Sequence, residues 1–235
     1  MILYDLLQRL SRSELSNLSI GSDGSGVITD ANVPKLLIHI NDGLVRLYSR
    51  FTLSIKQLMI EEQEHITNYH LLQKYAETSN SGEPYPYIKD LPDDPFLGDV
   101  IRVLEVWDEN GCERPLNDEG NCHSLFTPYV QTIQIPTPIT GKANSVVYQA
   151  KHPEIKMPPD ANRSQEIILP FVLEGALTAF IAHKVFSNMA GQEHIIKSQE
   201  QIGLYESICV DVEDRDLVNT TLSVTTTKLR DRGFV

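Results

Sequence analysis

Cysteine is scarce in this chain: three in 235 residues. A disulfide framework cannot be built on so few, and their rarity fits synthesis in a reducing compartment. Long apolar runs are missing too. None approaches the ~20 consecutive apolar residues that a membrane-spanning helix requires, so no membrane partner is expected. The opening MILYDLLQRL has no basic stretch leading into a long apolar run and a small-residue cleavage site, which predicts no secretory leader. Basic residues are in deficit, 20 against 32 acidic ones, for a net charge of −12. Proteins that coat DNA gain affinity by neutralising phosphates with Lys and Arg, and this balance disfavours that role. Catalytic fingerprints are also lacking: there is no G-x-S-x-G, no P-loop and no dinucleotide-binding pattern. The glycine-rich GSDGSG at 21–26 reads as a loop, because the helix after it starts too late and no Lys-Ser/Thr pair follows.

What is present suits a folded protein. Hydrophobic residues make up 41% and charged residues 22%, enough to bury a sizeable core. The length suits one domain, or one domain carrying an insertion. The charge is uneven. Residues 59–120 hold 15 carboxylates against 4 basic groups, a net of −11, whereas residues 219–235 carry +2. The bland interpretation of the acidic block is a solvated, self-repelling surface. The functional one is a wall beside DNA, where repulsion prevents sticking.

Periodicity divides the chain. Ile2, Leu3, Leu6, Leu7 and Leu10 recur at helical spacing. Asp30 or Asn32 can cap a second helix with Pro34 in its first turn and a stripe of Leu36, Leu37, Ile40, Leu44, Leu47, Tyr48 and Phe51. Residues 55–75 are ambiguous between helix and strand, and NSGEPYPYIKDLPDDP is an irregular connection. From VIRVLEVWDENG onward the period becomes two. Ile101, Val103 and Glu105 are expected on one face of a strand, and Val100, Arg102, Leu104 and Val106 mostly on the other. CERPLNDEG, SLFTPYVQTIQIP and ANSVVYQAKHPEI supply further strands and turns. Helical spacing returns in ILPFVLEGALTAFIAHKVFSN, apolar around most of its circumference and so suited to the centre of a bundle. Residues 192–214 form a second long helix, and the short link predicts an antiparallel hairpin. The final NTTLSVTTTKLRDRGFV reads as an extended arm. The expected class is α+β: a discontinuous helical bundle over 1–97 and 158–218, a small antiparallel β module inserted over 98–157, and a C-terminal arm over 219–235.

Few residues suggest chemistry. Cys112, Cys122 and His123 sit in adjacent turns but match no common zinc spacing, so incidental loop residues are the better interpretation. Asp108, Asn110 and Asp118 resemble fragments of a calcium loop without its ordered ligands; turn chemistry explains them. His65 and His70 do not share a helical face, and His183 and His194 could meet across the hairpin, yet none has a paired nucleophile or carboxylate at diagnostic spacing. No catalytic, cofactor-binding or metal residue is therefore assigned. In the tail, Thr, Val and Leu precede Lys228, Arg230 and Arg232, a pattern suited to adding a strand to a protein groove.

Taken together, ELSNL, PKLLIHINDGLVRLYSRFTL, VLEVWDENGCERPLNDEG, SLFTPYVQTIQIP, VVYQAKHPEI and the long LPFVLEGALTAFIAHKVFSNMAGQEHIIKSQEQIGLYESICVDVEDRDL resemble, in order and spacing, the head-to-tail adaptor (connector) proteins of short-tailed bacteriophages, in particular the N4-like podovirus group. The resemblance covers most of the chain. It implies a structural virion protein, not an enzyme, made in the host bacterial cytoplasm and placed in the neck and tail. It implies a twelve-fold ring of copies beneath the portal protein, with packing helices 34–58, 170–188 and 192–214. A tail tube or nozzle protein would lie on its other side, and genomic DNA would pass through without specific binding. It further implies that the arm docks on the portal through Thr221, Leu222, Val224, Lys228, Leu229, Arg230, Arg232 and Phe234. The large β insertion departs from the smaller adaptors. Two other classes compete: a small metal-dependent hydrolase built on the β module, and a regulatory DNA-binding protein, ranked last because the helices lack an Arg/Lys-rich recognition face.

Overall fold

The computed structural model describes residues 1–16, 28, 32–79, 81–156 and 164–218. In chain order its elements are α1 (Leu3–Arg12), α2 (Val33–Arg50), β1 (Ile55–Glu61), β2 (Asn68–His70), a 3-10 turn (Gln73–Tyr75), β3 (Ile88–Lys89), β4 (Val100–Asp108), β5 (Glu113–Arg114), β6 (Phe126–Tyr129), β7 (Thr132–Gln134), β8 (Ala143–Ala150), α3 (Phe171–Ser187) and α4 (Gln192–Asp214). The class is α+β, with both sheets antiparallel. The chain separates into two compact units, Met1–Asn32 with Leu169–Val235, and Val33–Ile168.

In the first unit, α1 buries Leu3, Leu6, Leu7 and Leu10, the stripe that a period of 3.6 dictates. Asp5 in its first turn and Arg9 and Arg12 in its last match the helix dipole. Helix α3 is covered on almost every side: Leu173, Ala176, Leu177, Thr178, Ala179, Phe180, Ile181, Ala182 and Phe186 are buried. Its central position follows from its all-round apolar sequence, each large side chain contributing about 1.5–3 kcal/mol on burial. α3 and α4 run antiparallel. His183 meets Ser198, Phe180 lies 5.6 Å from Tyr205, and Gly175 faces Ile208, so partners diverge from the turn in both directions. Gly191 takes φ +123° just before α4, a conformation that only glycine adopts without strain.

The second unit starts with α2, which buries Leu36, Leu37, Ile40, Leu44, Leu47 and Tyr48. A helix over 34–58 was expected; it ends at Arg50, and β1 begins at Ile55. Two causes are visible. Gln149, fully buried on β8, donates through Nε2 to the carbonyls of Tyr48 and Phe51, the latter at 3.0 Å, satisfying acceptors that a helix end leaves orphaned. The residues that follow alternate in burial and pair with β8 along their whole length, from Ile55 opposite Gln149 to Glu61 opposite Ala143. The strands therefore start well before residue 98, where the β module was expected to begin.

A five-stranded sheet in the order β3-β1-β8-β4-β5 and a three-stranded sheet in the order β2-β7-β6 share one core. That core joins Leu58, Ile60, Val106, Val146 and Tyr148 of the first sheet to Tyr69 and Ile133 of the second. β4 departs from the simple alternation read in its sequence. Register shifts at 100/102 and 103/105 give it two extra residues against β8. Val100, Val103 and Val106 therefore stand opposite Ala150, Tyr148 and Val146, while Arg102, Glu105 and Trp107 stand opposite Gln149, Val147 and Ser145. The expected grouping of Ile101, Val103 and Glu105 is thus broken by bulges, which insert an unpaired residue and reset the period.

Candidate functional site

The acidic block divides between groups held by the fold and groups left on the surface. Glu62, 1% exposed, is its most buried carboxylate. Its Oε1 accepts from Arg114 Nη1 at 2.9 Å and Asn144 Nδ2 at 2.7 Å, and its Oε2 accepts the Ile139 N–H at 2.7 Å. Arg114 Nη1 also donates to Asn144 Oδ1 at 3.0 Å. This network ties β5, β8 and the loop before β8 to the end of β1. Asp99, also buried, accepts from Lys56 Nζ at 2.5 Å and from the Tyr148 hydroxyl at 3.1 Å. Burial, together with the adjacent Asp99 carboxylate, pushes the Tyr148 phenol well above its ordinary value. Lys89 pairs with Glu61 and Glu77, and Lys74 with Glu83. Burial pushes Asp90 up, but the Thr78 hydroxyl and N–H and the Phe96 N–H outweigh it and hold the carboxyl below its usual range. Glu64, Asp93, Asp94, Glu105, Glu109, Glu113 and Glu119 remain on the exposed surface.

A cleft of about 290 Å³ lies among Lys56, Lys89, Asp90, Asp94, Phe96 and Tyr148. Both of its cations already have carboxylate partners, and its tyrosine is a neutral hydrogen-bond donor. The residues flagged for metal chemistry do not converge. Cys112 and Cys122 are exposed free thiols, and the His123 N–H is held by the Asn121 side chain. Asp108 Oδ1 accepts the N–H groups of Cys112 and Asn110, which lowers its pKa and makes it a turn residue. Among the described residues, no three His, Cys, Asp or Glu side chains are grouped so as to hold a metal ion. His65 packs edge-on to Tyr85, while His70 bonds Thr132 Oγ1 at 3.0 Å. His183 and His194 have separate neighbours: His183 bonds Ser198, and His194 stacks on Phe186.

Among the described residues, α4 and the β6–β7 turn each leave more than one large apolar side chain exposed, alongside others such as Ile38, Leu91 and Phe171. α4 buries only a narrow stripe of Ser198, Tyr205, Cys209 and Val212. Ile195, Ile196, Leu204 and Val210 stay roughly half exposed (54%, 50%, 45% and 45%). In the second unit, Tyr129 and Val130 are 74% and 67% exposed at the β6–β7 turn. Val130 has no positive φ there, so the backbone does not dictate its identity. This turn lies inside residues 121–141, a stretch without a single Asp, Glu, Lys or Arg, and that composition is the sequence signal that marks it. The proposed arm contacts Thr221, Leu222, Val224, Lys228, Leu229, Arg230, Arg232 and Phe234 lie outside the described residues, as does Asp30. Among the described helices, none is long and apolar enough to cross a membrane. Compared with known proteins, the chain matches no family model and no curated protein significantly.

Proposed function

We propose that this chain is a structural head-to-tail adaptor of a short-tailed bacteriophage virion, which assembles as a ring between portal and tail and lines the DNA exit channel. The observation that carries this reading is the set of apolar side chains that α4 leaves half exposed. From Ile195 to Val210 they span about 22 Å of helix, and a solvated helix gains nothing from four large apolar side chains left in water. A closed ring requires two different faces on each copy, because its interfaces are heterologous. The exposed apolar residues of α4 would contribute to one such face, and Tyr129 and Val130 at the β6–β7 turn to another. The resemblance to adaptors, which covers most of the chain, supports portal docking by residues 219–235, a tail partner beyond the ring, and a role without catalysis.

Mixing the purified chain with portal particles tests this. Light scattering and electron microscopy should show a chain that is monomeric alone and forms rings on portal. Ile196→Glu should abolish ring formation while changing monomer stability by no more than about 0.5 kcal/mol, the usual range for surface changes. Rings that form equally well with this variant would refute the α4 interface. Portal binding that is unaffected by removing residues 219–235 would refute arm docking.

A further inference from the structure

We propose that His152 is an acid-released latch, holding the chain where it leaves the Val33–Ile168 unit only while its imidazole is neutral. Ile168 is the last residue of that unit. Its side chain is 58% exposed, so packing does little to fix it. Its backbone is instead gripped on both sides by side chains. The Ile168 N–H donates to His152 Nε2 at 3.0 Å, and its carbonyl accepts from the Tyr48 hydroxyl of α2. His152 is only 4% exposed and stands edge-on to Tyr48, with ring centroids 5.3 Å apart.

The partners fix the tautomer. An amide N–H can only donate, so Nε2 must present a lone pair. The ring proton then sits on Nδ1, which donates to the Pro153 carbonyl at 2.5 Å. Adding a proton to Nε2 would set N–H against N–H in a buried place and break the bond to Ile168. The charged groups around it are Asp42 on α2 and Lys151 and Glu154 on its own segment, which line a cavity of about 290 Å³ with it, and Glu166 on the segment it holds. The ring's hydrogen bonds go to the Pro153 carbonyl and the Ile168 N–H and to neither carboxylate of that cavity, so the protonated form gains no direct acceptor at Nε2.

The direction of the pH effect follows. Burial lowers the His152 pKa below its ordinary 6.5, opposed in part by the hydrogen bond to Pro153. The unfolded ring therefore takes up a proton more readily than the folded one. The latch contributes fully above the unfolded value, and its contribution is lost as pH falls through the lowered folded value. Ile167 is buried, and Gln165 Oε1 still accepts the Lys156 N–H at 3.2 Å, so the segment before Ile168 keeps its own anchors when the bond at the Ile168 N–H is lost.

Amide hydrogen exchange followed by NMR on the full chain, between about pH 7.5 and about pH 4.5, tests the latch. After correction for intrinsic rates, protection of the Ile168 amide should fall by about tenfold or more across that range, while the β8 amides of Val146 and Tyr148 keep theirs. The His152 nitrogen shifts should report the Nδ1–H tautomer at the upper pH. His152→Gln keeps a neutral donor and acceptor, and should make Ile168 protection independent of pH. Three results would each overturn the proposal: equal Ile168 protection at both pH values, an Nε2–H tautomer, or simultaneous loss of protection in β8. All three are read on the unmodified chain, so the test survives if the variant fails to fold.

Discussion

The Glu62–Arg114 pair gives the sharpest energetic expectation. The Glu62 side chain is 1% exposed and that of Arg114 is 14% exposed. Removing the cation leaves a buried carboxylate with the Asn144 amide and the Ile139 N–H as its remaining donors. Breaking one side of a buried pair costs about 3–5 kcal/mol, mostly the penalty of an uncompensated charge. Because Arg114 reaches solvent at its edge, the lower end applies, and Arg114→Met should cost about 3 kcal/mol. Glu62→Gln removes the charge but keeps an acceptor, and should cost about 2 kcal/mol. The double substitution leaves no buried charge, so its cost should fall short of the sum by more than about 1 kcal/mol. Urea denaturation followed by tryptophan fluorescence is well placed to measure this. The single tryptophan, Trp107, pairs with Glu113, and its neighbour Val106 pairs with Arg114. The signal therefore reports on this unit at this strand pair. Strictly additive costs would refute the coupling, and an Arg114→Met midpoint within error of the parent would refute the burial argument itself.

Two further expectations concern the same unit. Gln149→Leu keeps the packing volume but strips the donor shared by the Tyr48 and Phe51 carbonyls, so it should cost about 2 kcal/mol and shorten α2; an unchanged urea midpoint would show that the helix end is satisfied otherwise. Asp90→Asn bears on acid stability. The folded Asp90 carboxyl lies below its ordinary 3.8, so the stability it contributes is complete above that value and lost as pH falls through the folded one. The variant should be less stable near neutrality and show a shallower loss on the acid side; parallel curves would argue that the Thr78 and Phe96 bonds carry no charge-dependent energy.

Much of the helical part was legible because its causes are local. The stripe from Leu3 to Leu10 and the all-round apolar run from Leu173 to Phe186 each announce a helix and its degree of burial through period and composition. The end of α2 was not legible. Ile55, Leu58, Met59 and Ile60 suit a helix as well as a strand, and the partner that decides the matter, β8, lies about ninety residues downstream in the register Ile55 to Gln149. The face assignment of β4 failed for a similar reason. A bulge is a relation between two strands, and nothing in VIRVLEVWD alone states that β8 is shorter than β4 along the pairing. The acidic block shows the same limit. Its carboxylates could be counted, but not sorted into those spent on Arg114, Lys56 and Lys89 and those left on the surface.

The sequence by itself determined the helix stripes, the switch to a period of two, the absence of a disulfide framework and the net charge of −12. These depend on neighbours a few residues apart, or on composition alone. Tertiary structure alone decided where α2 stops, which faces β4 presents, and that Glu62 and Asp99 are interior groups. It also decided that His152 holds the backbone of Ile168 as a neutral ring. Each of those outcomes needs a donor, an acceptor or a strand brought from far along the chain, and desolvation then fixes which protonation state and which pairing survive.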